Sequence, residues 1–277
     1  MSSYKDTLSA DQLSNIYIII DEMQKAGITN IYTQSAFLAV ISKESAFYPQ
    51  SETSYRNTSN DRIRKTFGSR VPSNDAELNA LKQNDIKFFD TVYGGRYGNA
   101  LNEGYKYRGR GFNQLTFKGN YASIGQRINI DIVSNPDLVN RIDVAAKVLI
   151  DYFLREFNNQ KIDINSFKDS QTALKRVFEA NRGFGKGSID SVPDVTGGYN
   201  LALSRLGDFD LIVGLNKKKK ITKYLIIILI SVIVYLLLVK IFPSIKEYNY
   251  VSFIGVLLSV YFIYEKTSLK NINNLID

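Results

Sequence analysis

The chain has 277 residues and a formal net charge of +8, and it contains no Cys, His or Trp. These absences exclude disulfides, a Ser-His-Asp triad and a His-ligated zinc, so acid–base chemistry falls to carboxylates, Lys or Tyr. The charge is uneven, because residues 217–277 hold nine Lys against three acidic residues. The body before them is nearly neutral and lacks the basic surface of a nucleic-acid-binding protein. We expect no metal and no cofactor.

The first helices are predicted by caps and apolar periodicity. Ser9 is placed to cap a helix that Gly27 ends. Residues 29–42 continue into the apolar run SAFLAVIS, which is typical of a buried helix. The C-terminal end of that helix delivers Lys43 and Glu44.

Helical periodicity continues through the rest of the body, and it predicts helices over residues 61–67, 75–81, 124–132, 136–157, 170–177 and 195–206. Residues 49–60 are polar and irregular, and they hold Glu52. Residues 180–187, ANRGFGKG, predict a glycine-rich turn. No segment shows the alternation of a strand, so the body, residues 1–215, is predicted to be mainly α.

A central stretch, YKYRGRGFNQLTFKGNY at residues 105–121, is too polar and glycine-rich for an ordinary core element. Its amides and hydroxyls lie beside aromatic side chains, which is the combination that binds a carbohydrate. The alternative is a loop whose amides cap its own turns. Chemistry alone leaves both interpretations open.

Three motifs in the body resemble a known family in their order and spacing. YRGRGFNQLTFKGNY resembles the YRGRG-x-x-QLTGRxNY signature of family 19 glycoside hydrolases, the plant-type chitinases and related phage endolysins. Upstream, KESAFYPQSETSY resembles the family's HES-G-F…E-N-x-x-Y segment, and VYGGRYGN resembles its Y-x-NRMGN segment. The resemblance covers about residues 8–208, and it implies a lysozyme-like α fold with a small hairpin at the active-site cleft.

The resemblance implies that two carboxylates perform the chemistry. In the family, the Glu of the HES motif is the general acid and a following Glu is the base, and these correspond to Glu44 and Glu52. Partial burial at the helix end would keep Glu44 protonated, whereas Glu52 in its polar stretch would stay ionised. The family's His before the acid is Lys43 here, and such a cation would oppose the acid role unless its side chain points away. The alternative for either Glu is a salt bridge at a helix end.

Six further residues are candidate substrate contacts, and they are Ser51, Tyr107, Gln114, Thr116, Asn120 and Asn181. Asn181 corresponds to the family's later Asn-Gly-Gly loop, with Arg182 in place of a Gly. Ser51 adjoins the proposed base and is placed to help position a water. Arg108 and Arg110 are expected to brace the fold by pairing with buried acids.

Residues 216–277 differ sharply in composition from the body. A basic linker, KKKKITK, precedes two apolar segments at about residues 224–242 and 248–264. Crossing a hydrocarbon core of about 30 Å takes about 20 apolar residues, within a range of about 17–25. These segments predict a helical hairpin that anchors the protein in a bilayer, either the host inner membrane or an internal membrane of a virion. The alternative is a buried hairpin in a second soluble domain.

These features predict a membrane-anchored muralytic glycosidase of a phage or prophage, which cleaves the β-1,4 glycan strands of peptidoglycan. Chitin is the alternative substrate. The non-enzymatic alternative is a membrane-anchored glycan-binding or virion structural protein that has lost turnover. A third interpretation makes the tail a holin-like hairpin with a lysin attached. We expect no nucleic-acid partner, and the pattern leaves protein partners open.

Overall fold

The computed structural model describes residues 3–183, 193–241 and 253–261. The helices with defined ends in these ranges are α1 Ala10–Lys25, α2 Ile31–Ser45, α3 Asn60–Phe67, α4 Asp75–Leu81, α5 Asp85–Tyr93, α6 Lys118–Ile128, α7 Ile142–Asn159, α8 Ser170–Arg182 and α9 Pro193–Ile241. No strand is present in the described ranges, where a single antiparallel bridge joins Arg110 and Leu115. The mainly α class is confirmed, and the hairpin expected at the cleft is reduced to that bridge.

The chain divides into two compact units, Met1–Val213 and Gly214–Asp277. The main core of the first unit is built from α1, α2, α7, α8 and the beginning of α9. Helix α2 lies within this core, because ten successive residues from Thr33 to Ser42 are buried. After α2, Ala46 and Phe47 take positive φ angles of 48° and 70°, which turns the chain away from the helix.

Two smaller apolar clusters support the central stretch and the segment that holds Glu52. One lies under residues 105–121 and includes the buried rings of Tyr107 and Tyr121. The other is built from α3, α4 and α5, with Tyr55 and Tyr93 packed against it. Each cluster packs residues from several segments together. The central stretch and the segment that holds Glu52 therefore pack against an apolar core.

The capping prediction for α1 is confirmed, and α4 is capped in the same way. Ser9 forms a capping box with Gln12, and Gly27 takes a positive φ of 84° just beyond the helix. The Asn74 side chain accepts hydrogen bonds from the first backbone amides of α4. These signals are local, so the sequence alone carries them.

The predicted boundaries of α6 and α7 are wrong. Helix α6 begins six residues early, at Lys118, whose backbone N–H donates to Asn99 Oδ1 at 2.8 Å. It ends where Asn129 takes a positive φ of 55°, which a helix cannot continue. The predicted helix 136–157 divides into a short 3₁₀ segment and α7, because Arg141 is extended.

The last body helix is longer than predicted. It was expected over 195–206, but α9 runs as one helix from Pro193 to Ile241 through the Lys-rich segment. The predicted basic linker does not interrupt the helix, because Lys is a good helix former. Half of the predicted turn over 180–187, residues 184–187, lies outside the described residues, and its first three residues belong to α8.

The second unit is strongly apolar. Between Val195 and Lys240, α9 is long and apolar enough to cross a membrane. Leucines within that apolar run are more than half exposed, including Leu225, Leu229 and Leu236. Of the second predicted span, 248–264, the structure describes residues 253–261 as helical, and the remainder lies outside the described residues.

Candidate active site

Glu44 occupies the last turn of α2, at the edge of the main core. Its side chain is 35% exposed, which is more open than the partial burial expected for it. The Lys43 ammonium lies 2.7 Å from Glu44 Oε1, so Lys43 points toward the carboxylate rather than away from it. The side-chain amide of Asn181 donates to the same oxygen at 3.3 Å. Glu44 is therefore held by two donors on one oxygen.

Glu52 is anchored much more firmly. The Tyr55 and Tyr93 hydroxyls each donate to Glu52 Oε1 at 2.9 Å. The backbone N–H of Gly109 donates to Glu52 Oε2 at 3.2 Å, while the Glu52 backbone N–H donates to the Gly109 carbonyl at 2.7 Å. Both carboxylate oxygens are thus oriented by groups from three separate parts of the chain.

The two tyrosines that hold Glu52 remain protonated donors. Burial, followed by the charge of Glu52, raises the pKa of both Tyr55 and Tyr93 above the ordinary value of 10.0. A protonated phenol donates a stronger hydrogen bond to a carboxylate than to a neutral acceptor, because the carboxylate is charged. The result is a rigid, charge-assisted cradle for Glu52.

The central stretch folds as a tight loop closed by the bridge between Arg110 and Leu115. Gln114 takes a positive φ of 52° and donates to the carbonyl of Gln50 at 3.1 Å, which fastens the loop to the segment before Glu52. Gly109 permits this closeness, because a Cβ there would lie 2.7 Å from Gln114 Oε1. The loop and the Glu52 segment are therefore a single assembly.

The buried guanidinium of Arg110 braces this assembly. It is 3% exposed, pairs with Asp137 at 2.8 Å and donates to the carbonyls of Lys106 and Arg108. The acid it pairs with is itself 73% exposed rather than buried. Arg108 instead stacks on the Tyr105 ring, 4.1 Å from the centroid. The expectation that Arg110 supports the fold is confirmed, and the buried acid expected for the pairing is not found there.

Glu44 opens onto a cavity of about 290 Å³ whose lining residues are Glu44, Phe112, Asn113, Gln114, Tyr152 and Asn181. A second cavity of about 370 Å³ shares Asn113, Gln114 and Tyr152 with the first and extends past Thr116 and Asn120. Amide, hydroxyl and aromatic groups line both cavities. Such a lining offers hydrogen bonds to sugar hydroxyls and flat surfaces for sugar rings.

A family model described as chitinase class I matches residues 92–192. These residues include the central loop, both cavities' amides and Asn181. Residues 92–192 are therefore similar to the family 19 glycoside hydrolases. The match begins after Glu44 and Glu52, so the roles of these two carboxylates rest on the motif and the geometry.

Three similar proteins share between 17% and 28% sequence identity with this chain. A glycosyl hydrolase family 19 domain-containing protein of Haemophilus influenzae is 28% identical over 135 residues. That alignment covers 48% of this chain and 66% of the relative, just under two thirds of its length. Among solved structures, chitinase C from Streptomyces griseus matches with 17% identity and a TM-score of 0.42, over 74% of this chain and 76% of that one. A chitinase C mutant matches with 17% identity and a TM-score of 0.40, over 75% and 92%.

Within residues 92–192, three predicted contacts both cap the loop and line the cavities. Gln114 donates to Gly111 as well as Gln50, Thr116 donates to the Gln114 carbonyl, and Asn120 donates to the Thr116 carbonyl. The capping and glycan-binding interpretations are therefore compatible, since the same side chains are ordered by the loop and exposed to the cavities.

Tyr107 is not placed as a substrate contact. It is 1% exposed, its hydroxyl donates to the Val133 carbonyl at 3.1 Å, and its ring packs on Tyr121. Its position in the apolar cluster under the loop corrects the predicted role, because a glycan cannot reach it. The hydroxyl of Ser51 accepts a hydrogen bond from the side-chain amide of Asn140 at 2.8 Å.

Three residues of this site were not among the predicted site residues. Tyr93 holds Glu52 from a position 41 residues away, although it lies in the VYGGRYGN motif that signalled the family. Tyr152 lines both cavities from α7, where it resembles any half-buried helix residue. Asn113 has a buried Oδ1 with no hydrogen-bond partner in the described part of the chain. An unmet buried acceptor is costly, so a donor is expected there.

The described ranges contain no group of three or more Asp or Glu side chains placed to hold a metal ion.

Proposed function

We propose that this protein hydrolyses the β-1,4 glycan strands of peptidoglycan while anchored in a membrane, as a lysin of a phage or prophage. The observation that carries the proposal is the contrast between the two glutamates. Glu44 faces the cavity from an open helix end, whereas Glu52 is locked by Tyr55, Tyr93 and Gly109. Paired carboxylates in different environments are what glycoside hydrolysis requires.

In this mechanism Glu44 is the general acid, and it donates a proton to the leaving glycosidic oxygen. Glu52 is the general base, and it removes a proton from a water that attacks the anomeric carbon from the opposite face. The three donors on Glu52 fix the orientation of both carboxylate oxygens. Gln114, Thr116, Asn120 and Asn181 would bind the sugars beside the scissile bond, with Ser51 near the base.

The aromatic rings support the glycan assignment. The domain has no Trp, so sugar stacking falls to Tyr and Phe. Phe112 and Tyr152 line the cavity next to Glu44, and the Tyr152 hydroxyl is fixed by a 3.0 Å bond to the Ala180 carbonyl. A fixed ring beside hydrogen-bonding amides matches the mixed character of a sugar.

The membrane part of the proposal rests on the second unit. The apolar run of α9 is long enough to cross a bilayer, and its Tyr235 ring packs edge-to-face on Phe253 at 5.5 Å. That contact supports the proposed helical hairpin, because it joins the two predicted spans. The proposed location is the host inner membrane or an internal membrane of a virion.

Product analysis tests this function. The full chain in detergent is incubated with purified bacterial cell walls and, separately, with chitin oligosaccharides, and the products are identified by mass spectrometry. Hydrolysed disaccharide-peptides from the walls support the proposal. Cleavage of chitin alone would replace the substrate, and anhydro-sugar products would indicate a transglycosylase.

One observation favours a second candidate, a membrane-anchored glycan-binding protein without turnover. Glu44, the proposed acid, forms a 2.7 Å ion pair with Lys43, and this pair opposes proton donation. Binding of undigested glycan to the full chain, with no product formed, would favour that candidate.

A further inference from the structure

Lys43 lies in a seat made by two residues of other helices. On α9, Gly198 is buried, and a Cβ there would lie 2.8 Å from Lys43 Cε and 3.2 Å from its Nζ. On α8, the Phe178 ring centroid lies 5.8 Å from the Lys43 ammonium. The lysine stem therefore passes through space that only a glycine at 198 leaves open.

This seat directs the ammonium onto one oxygen of Glu44. Lys43 Nζ lies 2.7 Å from Glu44 Oε1, and Asn181 donates to that same oxygen. A protonated carboxyl group still accepts hydrogen bonds on its carbonyl oxygen. The nearby cation opposes proton donation by Glu44, so any benefit from Lys43 is one of orientation. In this arrangement Oε1 stays bound to Lys43 and Asn181, and the proton of the acid resides on Oε2.

We propose that Lys43 is a positioning residue, which fixes the orientation of Glu44 so that Oε2 presents the proton to the glycosidic oxygen. Gly198 is the feature of the fold that makes this possible. The proposal rests on the proposed hydrolase function and deepens it, because it assigns separate tasks to the two oxygens of the acid. Lys43 touches no reacting atom in this scheme.

A pair of adjacent glycines provides a matched test. Gly198→Ala crowds the flexible end of Lys43, which can move aside without disturbing the backbone. At the exposed Gly197, an added Cβ meets no described atom within 4 Å. Both changes give the same gain in helix propensity. Only Gly198→Ala crowds Lys43, so a difference between the two variants reports the displacement of the ammonium.

The readouts are kcat and KM for a soluble β-1,4-linked N-acetylated oligosaccharide, measured with the full chain in detergent. We expect Gly198→Ala to lower kcat by about 10-fold to 10²-fold with little change in KM, because small misplacements of a catalytic group cost rates of this order. Gly197→Ala should match the wild type. Equal kcat values for the two variants would overturn the proposal.

Substitution of the lysine itself gives an independent test. Lys43→Met keeps the apolar stem and removes the charge, and we expect it to lower kcat. Lys43→Arg keeps a cation and should restore part of the loss. A Lys43→Met enzyme with unchanged or higher kcat would overturn the proposal, since the ammonium would then be dispensable.

These outcomes separate the two hypotheses. A wild type and a Gly197→Ala variant that both fail to hydrolyse any glycan would contradict the proposed function and, with it, the positioning role. An active wild type with unaffected Gly198→Ala and Lys43→Met variants would contradict the positioning role alone.

Discussion

Glu52 and Gly109 are joined by two hydrogen bonds, one between their backbones and one between the Gly109 backbone and the Glu52 side chain. The Glu52 N–H donates to the Gly109 carbonyl at 2.7 Å, and the Gly109 N–H donates to Glu52 Oε2 at 3.2 Å. The two residues are 57 positions apart in the sequence. The pair fastens the central loop to the proposed base, so the loop's conformation determines where the base lies.

The first prediction concerns this pair. A Cβ at position 109 would lie 2.7 Å from Gln114 Oε1 and 3.3 Å from Glu52 Oε2. Gly109→Ala should therefore displace both side chains and lower kcat for wall hydrolysis by about 10²-fold. Gly207→Ala is the control, because a Cβ there meets no described atom within 4 Å. Wild-type kcat in Gly109→Ala would show that the close packing at 109 does not matter for the base.

The second prediction concerns the acid. Glu44→Gln retains the size and hydrogen bonds of the side chain but cannot donate the catalytic proton. Wall lysis should fall by about 10²–10⁴-fold, while glycan binding and the unfolding temperature stay the same. Glu77→Gln, at an exposed position on α4, is the matched control. Activity close to the parent's in Glu44→Gln would remove Glu44 from the acid role.

The third prediction concerns alkaline stability. Burial, and then Glu52, raises the pKa of Tyr93 above 10.0. The folded protein therefore holds this proton more tightly than the unfolded chain, so the associated stability is complete below about pH 10 and is lost as the pH rises toward the folded-state value. Tyr93→Phe should make the unfolding midpoint less sensitive to pH above 10.

Two comparisons check the alkaline prediction. Burial also raises the pKa of Tyr121, to about 12, so some alkaline loss should persist in Tyr93→Phe. Tyr97→Phe is the control, because Tyr97 is 68% exposed. An identical pH dependence in Tyr93→Phe and wild type, followed by tyrosine absorbance and circular dichroism, would contradict the linkage.

The fourth prediction concerns stereochemistry. If Glu52 activates a water, the two carboxyl groups should lie about 6.5–9.5 Å apart in a glycan complex, and the product anomer should be inverted. Proton NMR of the first product formed from a soluble oligosaccharide measures the anomer. A retained anomer, with carboxyl groups about 5 Å apart, would instead indicate a covalent intermediate.

The fifth prediction concerns membrane topology. Lysines cluster before the first predicted span at residues 217–223 and after the second at Lys266 and Lys270, whereas the link at 243–247 carries one Lys and one Glu. By the positive-inside rule both outer flanks stay cytoplasmic, which places the enzyme away from peptidoglycan. The protein should then be inactive toward the wall of an intact cell and act only after lysis, or from a virion membrane.

Protease protection on intact spheroplasts checks this topology. Residues 1–215 should resist external protease as a cytoplasmic marker protein does. Digestion of residues 1–215 while the marker stays protected would contradict the charge-based orientation.

Local signals in the sequence were enough for several features of this protein. The caps at Ser9 and Asn74 and the buried run of α2 were predictable, since each depends on residues within a few positions of one another. The spacing of the motifs likewise identified the family and the loop at residues 105–121. The apolar segment after Lys223 was evident from composition alone.

Long-range contacts decided the rest. The early start of α6 depends on Asn99, and the burial of Tyr107 depends on Tyr121 and Val133. No periodicity within a segment records these partners.

The site itself shows the same division. The sequence by itself determined which carboxylates, amides and rings the site could use, because side-chain chemistry is a property of each residue. Only the tertiary structure decided that Tyr93 would hold Glu52 and that Gly198 would leave room for the Lys43 side chain, because these contacts form only when segments distant in sequence pack together.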